Sequence, residues 1–347
     1  MTFTRRAWSF KRTENMYNMH NKLKDKVSNL NIDLKARYDN LFDISRDELR
    51  GFISRDIGKV ERLEKLGKSE LERLSRDGGI VGVDGSNNRV GGSQPHYVEA
   101  FQGLAKSTKH RDDPLFLADI YTPLDDKSKD PSPLEDEDER GTDPEDKKNT
   151  MLAEIEVKAA IEAVERFHPS VIMMDGGLIR YNIYAKRYWQ SLRDTCEEEG
   201  IILIGIIEDI KTSMIGDTLR ESDERFAISV YDREILFGQL DYGEMLVINE
   251  SVNRKGKEGY SSAFIRSSKS PTVVGIDILD SQKNSIKDMG RLVLNLTPED
   301  SRGVPLWLDI VDKEVKISDE MMEALLETYM DRELYERFFI PERNKRN

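Results

Sequence analysis

The chain has 347 residues, of which 53 are basic and 66 acidic, and its formal net charge is −13. This length predicts about two domains, or one large domain with an appendage. No apolar run is long enough to span a bilayer, which excludes an integral membrane protein. The single cysteine, Cys196, excludes a disulfide framework and a cysteine-rich zinc site, and it favours a reducing, cytoplasmic location. Taken alone, the net acidity argues against a nucleic-acid partner.

The first 76 residues have the composition of a helical region with a basic start. The first 26 carry a local charge of +5 but no apolar core, so they are not a secretory signal, and an organellar transit peptide is the weaker alternative. Ser45 followed by Glu48, and Ser69 followed by Glu72, have the spacing of capping boxes and predict two helix starts. Apolar residues recur on one face of the expected helix at Ile57, Val60, Leu63 and Leu66.

An acidic insertion is predicted over residues 125–149. Between Asp125 and Asp146 the sequence has eleven acids, three bases and three prolines, giving a local charge of −8. So few apolar residues cannot offset the entropy cost of ordering, which predicts a solvated, disordered loop. The rest of the chain carries only −5, so the acidity is concentrated in one segment.

The elements that follow Gly79 alternate between buried strands and helices. The sequence predicts a meander of three antiparallel strands, at Ile80–Val83, His96–Leu104 and Leu115–Tyr121. A helix (Met151–Phe167), a strand (Val171–Met174), a second helix (Tyr184–Glu199) and another strand (Ile201–Ile207) follow. Residues 225–241 are mixed, and helical in part. Further strands are predicted at Met245–Asn249, Ser262–Arg266, Val273–Ile278, Arg291–Leu296 and Leu306–Ile310, before a C-terminal helix, Ser318–Arg337. This order predicts an α/β fold with a mixed sheet flanked by helices.

Two of the buried strands end in the same way. Asp84-Gly85 follows the first strand of the meander, and Asp175-Gly176 follows the next strand after the long helix. Ligands bind outside the carboxyl ends of strands in open α/β sheets, and neighbouring carboxylates favour a hard divalent cation between them. The alternative is that each aspartate only caps a turn, because Asp-Gly is a common turn dipeptide.

One more acid and one base complete this candidate site. Glu156 lies on the small, buried face of the long helix, whereas Glu154 points toward solvent, so Glu156 is the expected third carboxylate. Lys211 follows the strand that ends at Ile207 and is placed to neutralise a phosphate, although an ordinary surface lysine is equally compatible with its position.

Two basic stretches are candidates for contact with nucleic acid. The segment 180–193 has four cations, no acid and four interleaved aromatic residues; the segment 253–269 has five cations and one acid and reads as a flexible cationic loop. Cations hold phosphates and aromatic rings stack on unpaired bases, but aromatic residues in a helix more often face the core. The expected DNA-binding residues are Arg180, Lys186, Arg187, Arg193, Arg254, Lys255 and Lys257.

Several kinds of active site are excluded. The four histidines lack the spacing of a zinc site, and the chain has neither a P-loop nor a dinucleotide-binding fingerprint. No nucleophile elbow is present, and Cys196 lies in an acid-flanked helix without an evident histidine partner.

An ordered set of short motifs resembles the NurA family of nucleases. The motifs are Val83–Ser86, Ile155–Ala160, Met174–Leu178 and Ile210–Ser213, followed by Asp232, Leu240–Glu244 and Pro305–Asp309. Each is weak alone, but their order and their positions after buried strands make the combination more specific. The resemblance extends from about Gly79 to Asp309 and predicts three regions: the helical residues 1–76, a nuclease core over 77–317, and a C-terminal helix and tail over 318–347.

The resemblance implies a ribonuclease-H-like core and a metal-dependent nuclease. Asp84, Glu156 and Asp175 match the family's metal-binding carboxylates, for Mn²⁺ or Mg²⁺, and Lys211 matches the lysine of a later motif. The family implies a homodimeric 5′–3′ DNA exonuclease, with some endonuclease activity on single strands. It acts in DNA-end resection and repair with a hexameric HerA-type ATPase. The residues by themselves give no exonuclease polarity.

One departure from the family keeps another function open. Members often carry a histidine near the C-terminal end, and this chain has none after His168. Either another group, such as Asp309, takes its place, or the chain is a catalytically weakened subunit that binds DNA or assembles with an ATPase. A nuclease that acts on RNA is a third possibility, because the core fold alone does not determine whether the substrate is DNA or RNA.

Overall fold

The computed structural model describes residues 21–76, 78–125, 144–226 and 230–340. The basic start of the chain lies mostly outside these ranges, as do most of the acidic insertion and the last residues of the tail. Residues 144–149, which the sequence assigned to the insertion, are helical, so its predicted C-terminal bound is wrong.

Nine strands in the described part of the chain form one sheet. They are β1 (Gly58–Arg62), β2 (Ile80–Gly91), β3 (Tyr97–Ser107), β4 (Leu115–Tyr121), β5 (Val171–Asp175), β6 (Ile202–Ile207), β7 (Glu244–Ile248), β8 (Tyr260–Ile265) and β9 (Val274–Leu279). The order across the sheet is β1-β7-β8-β9-β6-β5-β2-β3-β4.

Twelve helices in the described ranges accompany the sheet. They are α1 (Asn21–Asp43), α2 (Arg46–Phe52), α3 (Lys68–Leu74), α4 (Pro144–Phe167), α5 (Leu178–Tyr184), α6 (Lys186–Glu199), α7 (Met214–Ser222), α8 (Asp232–Leu236), α9 (Ile286–Leu296), α10 (Leu306–Val315), α11 (Asp319–Tyr329) and the single turn α12 (Arg332–Leu334). None of them is both long enough and apolar enough to cross a membrane.

The connectivity from β2 to β6 identifies the fold. Strands β2, β3 and β4 form an antiparallel meander, and β5 then returns through α4 to pair with β2 in parallel. Strand β6 adds in parallel on the other side of β5. An antiparallel meander extended from its first strand by two parallel strands is the ribonuclease-H-like arrangement, so the predicted fold class is confirmed. Strands β9, β8, β7 and β1 extend the sheet beyond β6, all antiparallel.

Helices cover both faces of the sheet because its central strands are apolar on both sides. Val83 and Met174 face one side and pack with α4, α5 and α6. Met173, the neighbour of Met174, faces the opposite side and packs with α9 and α10. Successive side chains of a strand alternate between faces, so each strand contributes to both layers of the core.

The N-terminal region differs in part from the sequence prediction. The Ser45 hydroxyl accepts a hydrogen bond from the Glu48 backbone N–H at 3.2 Å, so the first predicted helix start is confirmed. Helix α3 begins instead after Gly67, whose N–H donates to the Glu70 carboxylate, so the cap at Ser69 is wrong. The helix expected across Val60 is also wrong, because residues 58–62 form strand β1 and pair with β7.

Two predicted strands in the C-terminal half are helices. The segments Arg291–Leu296 and Leu306–Ile310 lie in α9 and α10, which bury Leu292, Val293, Leu308 and Val311. Both are short apolar runs, for which periodicity alone separates strand from helix poorly. The C-terminal helix begins as predicted after Ser318, but the α-helix ends at Tyr329 and the chain continues through two shorter helical turns.

Candidate active site

Two carboxylates meet where β2 and β5 end their parallel pairing. The last pair in the register joins Val83 to Met174, and the next residues along the two strands are Asp84 and Asp175. Asp175 is the last residue of β5, whereas β2 continues past Asp84 to Gly91, so the two acids lie where the parallel pairing of these strands ends. Asp84 is only 9% exposed, and its Oδ1 accepts a hydrogen bond of 2.7 Å from the N–H of Gly85. The structure thus brings together the two acids that the sequence singled out.

Helix α4 brings the third carboxylate to the same point. Glu156 is 1% exposed, and a Cβ placed on Gly85 would lie only 2.6 Å from its Oε1. Only glycine at position 85 lets the glutamate approach the strand this closely. Glu154 instead pairs with Lys158, one helical turn away, at 3.0 Å. The structure therefore places Glu156, and not Glu154, beside Asp84.

Burial and the proximity of other acids raise the pKa values of the two aspartates. Burial, together with the nearby Asp175 and Glu156, raises the pKa of Asp84 to about 8. Burial and the nearby Glu156 and Asp312 raise the pKa of Asp175 to about 6, although the charge of Arg302 acts in the opposite direction. Desolvation, the largest cause for both, and like charges disfavour the ionised form. In the described residues, neither Asp84 nor Asp175 forms an ion pair.

Glu156 has partners of its own. Its Oε2 accepts hydrogen bonds from the Arg180 guanidinium and, at 2.6 Å, from the Tyr181 hydroxyl. The same hydroxyl lies 3.2 Å from the backbone oxygen of Asp175, which links α5 to the end of β5. Because burial and the adjacent Glu156 disfavour the phenolate, the pKa of Tyr181 lies well above its usual range. Arg180, expected to bind DNA, is therefore engaged with the carboxylate cluster.

The sequence analysis missed a fourth acid, Asp312. It lies on α10, which packs against β2 through Leu308 and Val311, and its charge acts on both Asp84 and Asp175. Asp309, the expected replacement for a late histidine, is instead paired with Arg302 at 2.7 Å. The available signal was the spacing of Leu308, Val311 and Val315, which is helical and places residue 312 on the strand-facing side.

Lys211 lies at a cavity next to the carboxylates. The cavity has a volume of about 310 Å³ and shares Gly177 and Arg180 with the start of α5, just after Asp175. The Lys211 side chain is exposed, and no ion pair holds it within the described part of the chain. Its cation can therefore meet an anion that enters the cavity.

The other expected DNA-binding cations have different environments. Lys186 and Arg187 at the start of α6 are exposed, as is Lys257. Arg254 is largely exposed and pairs with Asp217 at 2.7 Å. The Arg193 guanidinium is half-buried and lies over the Tyr260 ring, 5.4 Å from its centroid.

Lys255 and two aromatic residues require correction. Lys255 is 8% exposed, and its Nζ donates to both oxygens of the buried Asp277, so it is not on the surface of a cationic loop. Tyr181 and Trp189 are fully buried and stack on each other with centroids 5.2 Å apart. These two rings belong to the core, and they are not available for stacking on bases.

The donor set fits a hard divalent cation. Among the described residues, no three His, Cys, Asp or Glu side chains converge closely enough to hold a metal ion in their present conformation. The acids at the strand ends nevertheless offer only oxygen donors, which Mg²⁺ and Mn²⁺ prefer. A cation between Asp84 and Asp175 would offset the repulsion that raises their pKa values.

Several solved nuclease-fold structures show only distant similarity. Endonuclease V from Bacillus subtilis is 11% identical, with 83% of this chain and 96% of that chain covered and a TM-score of 0.36. Argonaute from Kluyveromyces polysporus with a guide RNA is 11% identical, with 83% and 31% covered and a TM-score of 0.37. Endonuclease V from Ciona intestinalis with DNA is 10% identical, with 84% and 98% covered and a TM-score of 0.31. Similarities this low assign no activity.

The family comparison is decisive where the structural neighbours are not. No curated protein sequence matches the chain. The family model described as the NurA domain, however, matches residues 78–317, which include β2 to β9, all four acids of the cluster and Lys211. This range agrees with the span over which the short motifs resemble that family. The chain belongs to the NurA family of nuclease-type proteins.

Proposed function

We propose that this chain is a divalent-metal-dependent DNA nuclease: a 5′–3′ exonuclease with some endonuclease activity on single strands. One observation carries the proposal most directly. Asp84, which is buried, and Asp175, which is partly exposed, directly follow the last parallel pair of β2 and β5, and neither forms an ion pair within the described residues. Burial and the neighbouring acids raise the pKa values of both. Such an arrangement is costly unless a ligand uses it.

Each side chain has a role in this proposal. Asp84, Asp175 and Glu156 would hold Mn²⁺ or Mg²⁺, which supplies Lewis-acid stabilisation of a phosphodiester and lowers the pKa of a bound water. Arg180 and Tyr181 fix the position of the Glu156 carboxylate. Lys211 at the cavity neutralises charge on the phosphate that is cut.

The exposed cations provide a path for the DNA backbone. Lys186, Arg187 and Lys257 face solvent, and so does most of the Arg254 side chain, although it is paired with Asp217. Each phosphate that such a cation neutralises releases counterions, so the affinity for DNA should fall as salt rises. Lys255 is left out of this surface because Asp277 holds it in the interior.

The partners follow from the family resemblance. We propose that the chain acts as a homodimer in DNA-end resection and repair, together with a hexameric HerA-type ATPase that delivers duplex DNA. A second candidate is a catalytically weakened subunit that binds DNA or assembles with the ATPase. Two features favour this candidate: no histidine follows His168, and Arg180 already neutralises Glu156.

The test is degradation of labelled linear DNA with Mn²⁺ by the full chain, with and without a cognate ATPase. Asp84→Asn is expected to reduce the rate at least about 1,000-fold, since it removes a direct contact to the metal. Asp119→Asn, an exposed acid on β4 of the same sheet, is the matched control and should keep full activity.

The other readouts separate the remaining possibilities. Mn²⁺ binding by calorimetry, lost in Asp175→Asn, should accompany activity. DNA binding without Mn²⁺ binding or cleavage would favour the weakened subunit and refute the nuclease. DNA substrates labelled at the 5′ or the 3′ end report the polarity of the exonuclease. Matched single-stranded RNA tests whether the chain distinguishes DNA from RNA. Repeating the DNA-binding step with Lys186→Ala/Arg187→Ala should reduce the salt dependence, and an unchanged dependence would remove these cations from the proposal.

A further inference from the structure

Helix α1 carries an apolar row that no other described residue covers. Every residue from Asn21 to Arg37 is exposed, and the helix buries none of its side chains. The row consists of four large apolar residues that are each about half exposed: Leu23 (52%), Val27 (57%), Leu30 (54%) and Leu34 (45%). Most of the stability of helices in proteins comes from packing of an apolar face and not from helix propensity, so α1 would gain stability from a partner that covers this row.

The spacing of the row indicates the kind of partner. Successive members are four, three and four residues apart, the 3.5-residue repeat of a coiled-coil heptad, with Val27 and Leu34 at positions a and Leu23 and Leu30 at positions d. A helix that packs on a globular core carries a wider apolar stripe. The row is therefore narrow enough, and regular enough, to pack against one other helix.

The C-terminal end of α1 is fixed to the rest of the protein. The Tyr38 hydroxyl donates to Glu234 of α8 at 3.1 Å, and the Asn40 side chain donates to the backbone oxygen of Arg225. The preceding 17 residues extend for about 25 Å without burial, at about 1.5 Å of rise per residue. The apolar row is thus held away from the sheet, where a second helix can reach it.

We propose that α1 forms an antiparallel coiled coil with α1 of a second copy of this chain. With the two-fold axis between Ser28 and Asn29, Leu23 packs against the partner's Leu34 and Val27 packs against the partner's Leu30. Symmetry repeats both layers, so all four residues of the row in each helix pack in the interface. A two-fold interface must be complementary to itself, and this row meets that condition.

The charges beside the row favour this orientation. Lys26 and Asp33 occupy g positions, and in the antiparallel register Lys26 lies opposite the partner's Asp33, twice by symmetry. In a parallel pair, Lys26 would instead lie opposite Asn31 and Asp33 opposite Tyr38, with no opposite charges paired. Within one helix, Lys26 and Asp33 are about 10.5 Å apart along the axis, too far for an ion pair.

The first experiment measures the monomer–dimer equilibrium of the full chain by sedimentation. Leu30→Asp buries a carboxylate against the partner's Val27 at two symmetric places, so the dissociation constant is expected to rise about 100-fold or more. Ile32→Asp is the matched control: Ile32 is 63% exposed on the opposite face of α1, and the constant should stay within about twofold of the wild type. Equal effects of the two variants, or no effect of Leu30→Asp, would overturn the proposal.

The second experiment tests the orientation by exchanging charges. Lys26→Asp should weaken the dimer about tenfold, since two attractive pairs become repulsive, and Lys26→Asp/Asp33→Lys should restore it. Absence of rescue contradicts the antiparallel register. Cysteine cross-linking provides a direct check, because the native Cys196 is buried. Val27→Cys mixed with Leu30→Cys should form the mixed disulfide, whereas a disulfide in Val27→Cys alone would indicate a parallel pair.

The proposal rests on the homodimer proposed above but not on catalysis, so the two can fail separately. If the chain is a dimer whose dissociation constant is unchanged by every substitution in α1, this interface is refuted but the homodimer is not. A monomeric chain at tens of micromolar that still degrades DNA refutes the interface and the homodimer, but it leaves the nuclease assignment intact.

Discussion

Two places on the same sheet bury aspartate side chains in opposite ways. On β9, Asp277 accepts hydrogen bonds from Lys255 at 2.7 and 2.8 Å and from the Ser262 hydroxyl at 2.8 Å. Where β2 and β5 end their parallel pairing, Asp84 is also buried and Asp175 is partly exposed, but their charged neighbours are mostly other acids. The first aspartate is compensated from within the protein, whereas the other two are not.

This contrast separates a structural carboxylate from a functional one. A buried charge with a full set of partners needs nothing from outside the fold, and removing one partner harms stability. A buried charge among like charges lowers stability in the free protein, and it persists where an external cation makes use of it. Burial alone would have assigned Asp84 and Asp277 the same role, and their partners distinguish them.

The largest expected effect is at the compensated site. Lys255→Met leaves Asp277 charged and buried without a cation, so the free energy of unfolding should fall by about 3–5 kcal/mol, measured by urea denaturation. The matched control is Arg254→Met. The Arg254 side chain is 64% exposed, and its partner Asp217 keeps a second ion pair, with Arg220, so the loss should be less than about 1 kcal/mol. Adding Asp277→Leu to Lys255→Met should recover most of the loss. Equal losses for Lys255→Met and Arg254→Met would contradict the distinction.

At the uncompensated site the same kind of change should stabilise the protein. The pKa of Asp84 is higher in the folded chain, about 8, than the ordinary value of 3.8, so the folded state holds its proton more tightly. The stability from that proton is fully present below pH 4 and is lost as the pH rises through 8. In the presence of a chelator, Asp84→Asn should therefore be more stable than the wild type by about 2–3 kcal/mol at pH 8, and by less at lower pH.

Thermal and urea unfolding at a series of pH values provides the measurement. The wild type should lose stability between pH 4 and pH 8, and Asp84→Asn should remove most of the slope. Adding Mn²⁺ should oppose the loss, because a metal binds the deprotonated carboxylates. A flat or rising wild-type curve in chelator would show that the acids are compensated after all.

The sequence located the acids better than their surroundings. Asp84 and Asp175 each follow a short apolar run and precede a glycine, which is a local pattern, and both runs lie in strands as predicted. The end predicted for the first strand is wrong, because β2 continues past Asp84 and Gly85 to Gly91, paired with β3. Glu156 was also identified locally, from its place on the small, buried face of a helix. The pairing of Lys255 with Asp277 could not be predicted, because it joins a loop to a strand 22 residues later and depends on how β8 and β9 pack.

The errors in secondary structure have a related cause. Ile286, Met289 and Val293 have helical spacing, but the apolar run that ends α9 also fits a buried strand, and the decision depends on packing against the sheet. The same ambiguity in α10 concealed Asp312, because a residue beyond a strand has no defined direction. The long helix α4 was recognised, with its end at Phe167 predicted correctly and its start placed at Met151 instead of Pro144, whereas short apolar runs were assigned to the wrong element.

The smallest expected effect tests how far the uncompensated site extends. Asp312 and Asp309 lie three residues apart on α10, and both are ion-paired, Asp309 with Arg302 at 2.7 Å and Asp312 with the exposed Lys316 at 3.3 Å. The charge of Asp312, however, acts on both Asp84 and Asp175. Asp312→Asn should weaken Mn²⁺ binding about three- to tenfold in calorimetry, since it removes a nearby negative charge that attracts the cation. Asp309→Asn should change it less than about twofold, because Asp309 is not among the main charges that act on the two aspartates. If the two substitutions weaken binding equally, the attraction depends on the total charge of α10, and Asp312 is not part of the cluster.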